Sequence, residues 1–178
     1  MNIAFLAFND LEELDLIGPW EMLAGGLKTQ SIIKEAFIVG ETDEKIVCAK
    51  GLELVPHYNF KNCPAFDYIL VPGGWGTRKE ANNPKLLSFL SERTGSCKAV
   101  LSVCTGAFLL AEIGLLYGKR ATTHWGSLDR LRAIECIEVV EERYVHDDKV
   151  WCSAGVSAGI DLSLAFINKD PRRKQLGI

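Results

Sequence analysis

The sequence predicts an α/β fold: a three-layer α/β/α sandwich, with a mostly parallel sheet and helices on both faces. Two observations carry this expectation. Apolar runs of strand length alternate with longer runs of helical periodicity along the chain, the pattern of strands joined by crossover helices. Two of the strand runs also stop abruptly at turns, Pro72-Gly73-Gly74 and Cys104-Thr105-Gly106. The length of 178 residues, 48% hydrophobic and 24% charged, suits a single domain over 1–178 with one sizeable core.

In chain order, Ile3–Phe8 is a short apolar run of buried-strand length. Pro19–Ala24 opens with proline where a helix tolerates it, in the first turn, and closes at Gly25-Gly26. Glu35–Val39 is the second strand. Val47–Ala49 and Leu52–Val55 flank Lys50-Gly51 at hairpin spacing. Tyr68–Val71 is a third strand, and Pro84–Arg93 is a helix through Leu86, Leu87, Phe89 and Leu90. Ala99–Val103 is a strand, Gly106–Leu116 an apolar helix stopped near Gly118, Ala121–His124 a short strand and Ser127–Ala133 a helix. Ile137–Val140 and Arg143–Val145 lead to a turn at Asp147-Asp148, Val150–Ser153 returns, and Val156–Ile167 is the last helix.

Composition narrows the functional classes. Net charge is −3 and the Lys and Arg residues are scattered, so no basic footprint points to nucleic acid. The one basic cluster, Lys169, Arg172, Arg173 and Lys174, reads as a solvated chain end. The apolar Ile3–Phe8 run lacks a basic leader and meets Asp10, Glu12 and Glu13, which argues against a signal peptide. No run reaches the roughly 18 apolar residues of a membrane span. The six cysteines show neither CxxC nor zinc spacing, which predicts reduced thiols and a cytoplasmic protein. No metal cluster or nucleotide fingerprint is recognised, so no cofactor is expected.

Cys104 stands apart from the other five. In Val100-Leu101-Ser102-Val103-Cys104-Thr105-Gly106-Ala107-Phe108 an apolar strand runs straight into an apolar helix. A nucleophile elbow needs small residues two before and two after the reactive one, and Ser102 and Gly106 fill those places. A thiol there faces a helix N-terminus, whose dipole and free N–H groups favour thiolate. The competing reading is a buried structural cysteine ending a strand. The loop Val71-Pro72-Gly73-Gly74-Trp75-Gly76 opens at the same carboxyl edge of a parallel sheet, where ligands bind. The Gly73-Gly74 backbone can therefore approach a reacting group, with the N–H groups of Gly74 and Thr105 as oxyanion donors and Trp75 as a pocket wall.

These residues resemble the ThiJ/PfpI superfamily, of class I glutamine amidotransferase-like, flavodoxin-like fold. The similarity covers nearly the whole chain: Leu14-Asp15-Leu16-Ile17-Gly18-Pro19, Val71-Pro72-Gly73-Gly74, Ser102-Val103-Cys104-Thr105-Gly106, Ala121-Thr122-Thr123-His124-Trp125 and Ser153-Ala154-Gly155-Val156-Ser157-Ala158-Gly159-Ile160-Asp161-Leu162. The subgroup it is most similar to comprises isonitrile hydratases and the ligand-domain relatives in AraC-type regulators.

The resemblance implies that Asp15 contacts Cys104 and serves as general acid/base, with Cys104 the nucleophile attacking an isonitrile on its way to an N-substituted formamide. Without it, Asp15 reads as a solvated residue ahead of a helix, and Glu21 as a side chain able to point inward. His124 is the candidate base by its place after the cysteine, and an edge histidine is the competing reading. A small-molecule substrate and a homodimer are likewise implied. Other cysteine-dependent chemistry (amidase- or protease-like hydrolysis, glyoxalase-type hydration) and a non-catalytic ligand or redox sensor are the alternatives. Thr105 replaces the histidine of protease-like members, and Asp15 replaces the glutamate usual in members acting on glyoxals. The chain also ends sooner after Asp161 than hydratase relatives do, and carries no helix-turn-helix segment after the domain.

Overall fold

The central feature of the computed structural model, which describes residues 1–25 and 33–169, is a seven-stranded sheet. Gly26, Arg172, Arg173 and Lys174 lie outside the described residues. The strands are β1 (Asn2–Leu6), β2 (Glu35–Gly40), β5 (Tyr58–Asn59), β6 (Tyr68–Val71), β7 (Ala99–Val103), β10 (Tyr144–Asp147) and β11 (Val150–Ser153). Their order is β10-β11-β7-β6-β1-β2-β5. Every pairing is parallel except β10 with β11, which form the predicted hairpin over Asp147-Asp148. β1, β6 and β7 are apolar and buried almost throughout because both sheet faces are covered.

One face carries α1 (Glu13–Trp20) and the last helix, α6 (Ala158–Lys169), which pack together. Trp20 packs on Phe5, and Phe166 lies against Tyr68 and Trp151. The other face carries α2 (Thr77–Glu80), α3 (Pro84–Thr94) and α4 (Gly106–Glu112). Asn83 caps α3 by accepting the N–H groups of Lys85 and Leu86, and Pro84 follows it at the first helical position. α5 (Leu128–Arg132) lies beyond α4. The pairs β3–β4 (Ile46–Val47, Glu53–Leu54) and β8–β9 (Lys119–Ala121, Ile137–Val139) stand outside the main sheet.

Three expectations need correction. The first helix begins at Glu13, not Pro19, and Pro19 lies inside it; the missing proline N–H ends regular helix, and Glu21–Gly25 continues as a wider π-type turn. Asp15 is therefore in a helical first turn rather than ahead of the helix, whereas Glu21 is exposed. The strand placed over Ala121–His124 is Lys119–Ala121, so His124 lies beyond it and caps a short 3₁₀ turn, Trp125–Ser127. Neither β5 nor α2 is foreseen, because two and four residues are too few to establish a period.

Going outward from β1, the chain adds β2 and β5 on one side and β6, β7 and β11 on the other. The winding direction reverses beside β1, and in such sheets the crevice at the reversal, outside the strand carboxyl ends, holds ligands. The segments leaving β1, β6, β7 and β11 all meet there.

Candidate active site

The elbow is built as its sequence demands. Cys104 has φ 57°, a left-handed conformation that costs a non-glycine residue on the order of 1–3 kcal/mol and persists only where neighbours hold it. They do so at both ends. The Cys104 N–H donates to Ser153 O at 3.1 Å, and the buried Thr123 hydroxyl donates to Cys104 O at 2.8 Å. Gly106 lets α4 start against the end of β6, since a Cβ there would lie 2.3 Å from Val71 O. Gly106→Ala is expected to destabilise the fold by at least about 2 kcal/mol, because the obstructing atom is backbone. Urea unfolding showing an unchanged midpoint would reject this account of the turn.

Beneath Cys104 lies Asp15, fully buried. One carboxyl oxygen accepts the Gly73 N–H at 3.1 Å and the other the Val156 N–H at 2.9 Å. Four chain segments thus converge on two side chains. Val156 reaches Asp15 through an unusual backbone, φ 51° for a β-branched residue, straight after Gly155 at φ 139°. A Cβ on Gly155 would stand 3.1 Å from Cys104 Sγ, so that wall must be glycine for the thiol to fit.

The two acids perturb each other. Burial pushes the Asp15 carboxyl up to about 7; the Gly73 and Val156 N–H groups pull the other way, the Glu12 charge adds to the rise, and a hydrogen-bonding interaction with Cys104 opposes it. Burial, then the Asp15 charge, pushes the Cys104 thiol up to about 12 against the opposing pull of the Thr105 N–H and hydroxyl. Burial and the like charge of Asp15 therefore act on the sulfur in the direction opposite to the helix N-terminus, which the sequence expectation of a thiolate relied on. One proton can pass between the two groups, which titrate as a pair.

Asp15 also makes stability pH-dependent. Its folded pKa of about 7 lies above the ordinary 3.8, so the native state binds more protons than the unfolded chain between those values. The contribution is fully present below the unfolded pKa and is lost as pH rises through the folded one. Relative to Asp15→Asn, the wild-type unfolding free energy should fall by a few kcal/mol between about pH 4 and pH 8. Parallel pH profiles in chemical denaturation would reject this.

A cavity of about 280 Å³ opens onto the pair, lined by Glu12, Gly74, Trp75, Arg78, Cys104, Thr105, His124 and Val156 among others. The sequence-predicted residues Cys104, Thr105, Gly74, Trp75 and His124 thus share one pocket, with Asp15 and Gly73 directly behind it. The glycine N–H groups, however, already have acceptors: Gly74 donates to Thr105 Oγ1 at 3.0 Å and Gly73 to Asp15. Neither is the free oxyanion donor expected; their role is to lock Thr105 and Asp15 in place. Thr77 Oγ1, buried, supports Thr105 Oγ1 at 3.1 Å.

His124 Nδ1 accepts the Gly126 N–H at 3.2 Å, so the neutral ring carries its proton on Nε2. Among the described residues no hydrogen bond joins it to Cys104. His57 accepts Ile38 N–H and His146 stacks on Trp151, both away from the pocket.

Sequence reasoning overlooked Val156 and Arg78. Val156 was read as a helix start; the Gly155-Val156 step was its only signal, and its meaning depends on Asp15 lying 141 positions earlier. Arg78 looked like one scattered cation among many.

A buried carboxyl clamped under a cysteine on a strand-to-helix elbow, at the reversal point of a parallel sheet, defines a nucleophile-elbow α/β domain. Comparison narrows the class. Residues 1–169 match the DJ-1/PfpI family, and the chain belongs to that family. It is 37% identical over 166 residues to the isonitrile hydratase of Pseudomonas putida, spanning 93% of this chain and 70% of that protein. It is 27% identical over 131 residues to the HTH-type transcriptional regulator GbdR of Pseudomonas aeruginosa, 73% of this chain but 35% of the regulator. The crystal structure of a ThiJ/PfpI family protein from Pseudomonas syringae superposes with a TM-score of 0.84 at 32% identity, covering 94% of this chain and 68% of that one. No helix among the described residues is long and apolar enough to cross a membrane.

Proposed function

We propose that the chain is a cysteine-dependent enzyme that hydrates a small isonitrile, R–N≡C, to the formamide R–NH–CHO, acting as a single cytoplasmic domain within a homodimer. The observation that carries the reading is the buried Asp15 carboxyl interacting with the Cys104 thiol at the base of a small pocket. The similarity to an isonitrile hydratase supports the choice of substrate class.

The reaction needs a proton and a nucleophile at one carbon, and the pair supplies both. The thiol proton passes to the Asp15 carboxylate. Asp15 then delivers it to the terminal carbon as sulfur attacks, leaving the thioimidate R–N=CH–S–Cys104 and an ionised Asp15. Asp15 next removes a proton from water as the hydroxyl adds to the carbon and passes that proton to nitrogen. The adduct R–NH–CH(OH)–S–Cys104 collapses to the formamide as the C–S bond breaks, and the hydroxyl proton returns through Asp15 to sulfur. The Thr105 N–H and hydroxyl steady the sulfur whenever it carries charge, and the His124 Nε2–H is available to the substrate nitrogen.

The test is a parallel assay of an aliphatic isonitrile, methylglyoxal and a small amide with the purified protein. Formamide production alone is the expected result. Turnover of methylglyoxal or amide without isonitrile hydration would assign the same pair to another reaction, and stoichiometric binding without product would favour a sensor.

A further inference from the structure

The outer wall of the pocket holds a cation that the chemistry at Cys104 does not use. Arg78 lines the cavity, its guanidinium 4.1 Å from the centroid of the Trp75 ring, which is itself 70% exposed. Among the described residues Arg78 has no carboxylate within ion-pair distance; every ion pair found joins other side chains. Glu12, the acid that also lines the cavity, is engaged by Lys50. The Arg78 guanidinium is oriented by an aromatic face, which leaves its planar fork free for a carboxylate.

We propose that the substrate carries a carboxylate, which Arg78 grips at the pocket mouth while the reacting carbon reaches Cys104. This deepens the hydratase reading and rests on it for the identity of the reacting group. A cavity of about 280 Å³ limits the substrate to a small molecule, below the usual drug-sized range of about 300–1,000 Å³.

The test compares 3-isocyanopropanoate with its methyl ester, which differ in charge but not in the reacting carbon. The wild-type protein should prefer the acid by about 10-fold or more in kcat/KM, mainly through KM, with the preference shrinking as salt is raised. Arg78→Met, which keeps an apolar stem over Trp75, should bring the acid-to-ester ratio close to 1, and Arg78→Lys should keep part of it. An unchanged ratio in Arg78→Met, or no preference in the wild type, would overturn the proposal. Stronger competition by inorganic phosphate than by acetate would overturn the choice of carboxylate. Binding of the formamide products, N-formyl-β-alanine and its methyl ester, followed by Trp fluorescence, separates this idea from the hydratase reading. Arg78-dependent preference for the acid without any isonitrile turnover would sink the reaction and keep the carboxylate site. Turnover of both isonitriles with no charge preference would do the reverse.

Discussion

Cys104→Ser is expected to lower formamide production from an aliphatic isonitrile by at least about 1,000-fold while leaving the fold in place. Serine occupies nearly the same volume, and the contacts that hold residue 104 in its left-handed conformation, Ser153 O and the Thr123 hydroxyl, are to its backbone. The change should thus cost no more than about 1 kcal/mol of stability. What it removes is a soft nucleophile that can give up its proton to Asp15; a hydroxyl is a far weaker acid and holds its proton through the attack. Kinetics and unfolding on the same preparation separate the two effects. Equal turnover with serine would exclude the thioimidate.

Asp15→Asn should reduce kcat/KM by about 100- to 10,000-fold, the range attributable to a positioned acid/base. Two further readouts distinguish a proton carrier from a buried spacer. The wild-type pH profile should show a limb near pH 7 that the variant lacks, because the carboxyl is pushed up to about 7 by burial. The Cys104 thiol, raised by burial and by the Asp15 charge, should ionise at lower pH in the variant, followed by thiolate absorbance. An amide at position 15 also sets its NH₂ group against one of the two N–H groups that now meet carboxyl oxygens, so a stability loss of about 1–3 kcal/mol is expected. If the limb near pH 7 survives the substitution, another group carries the proton.

Much of this molecule could be read along the chain. β1, β2, β6, β7, β11 and α3 fall within a residue or two of their expected bounds because each is an uninterrupted periodic or apolar segment with a clear stop. The elbow was equally legible, since Ser102, Cys104 and Gly106 are adjacent and their sizes report one tight turn. Asp15, by contrast, carried no local sign of burial. Its neighbours Glu12 and Glu13 suggested a solvated stretch, and only family resemblance singled it out. The free thiols follow the same division: Cys48, Cys63, Cys97 and Cys152 are buried and pushed up to about 11, chiefly by burial, and nothing in their flanking residues distinguished them in advance.

Adjacent residues determined the alternation of strand and helix, the parallel sheet and the place of the Cys104 sulfur, because propensity, periodicity and turn sterics act over a few positions. Tertiary structure alone decided that Gly73 and Val156 would donate to Asp15, that the Gly74 N–H would be taken by Thr105, and that burial would push both the Asp15 carboxyl and the Cys104 thiol up. Those outcomes depend on desolvation and on charges brought together from distant segments, and such energies exist only once the chain has closed around them.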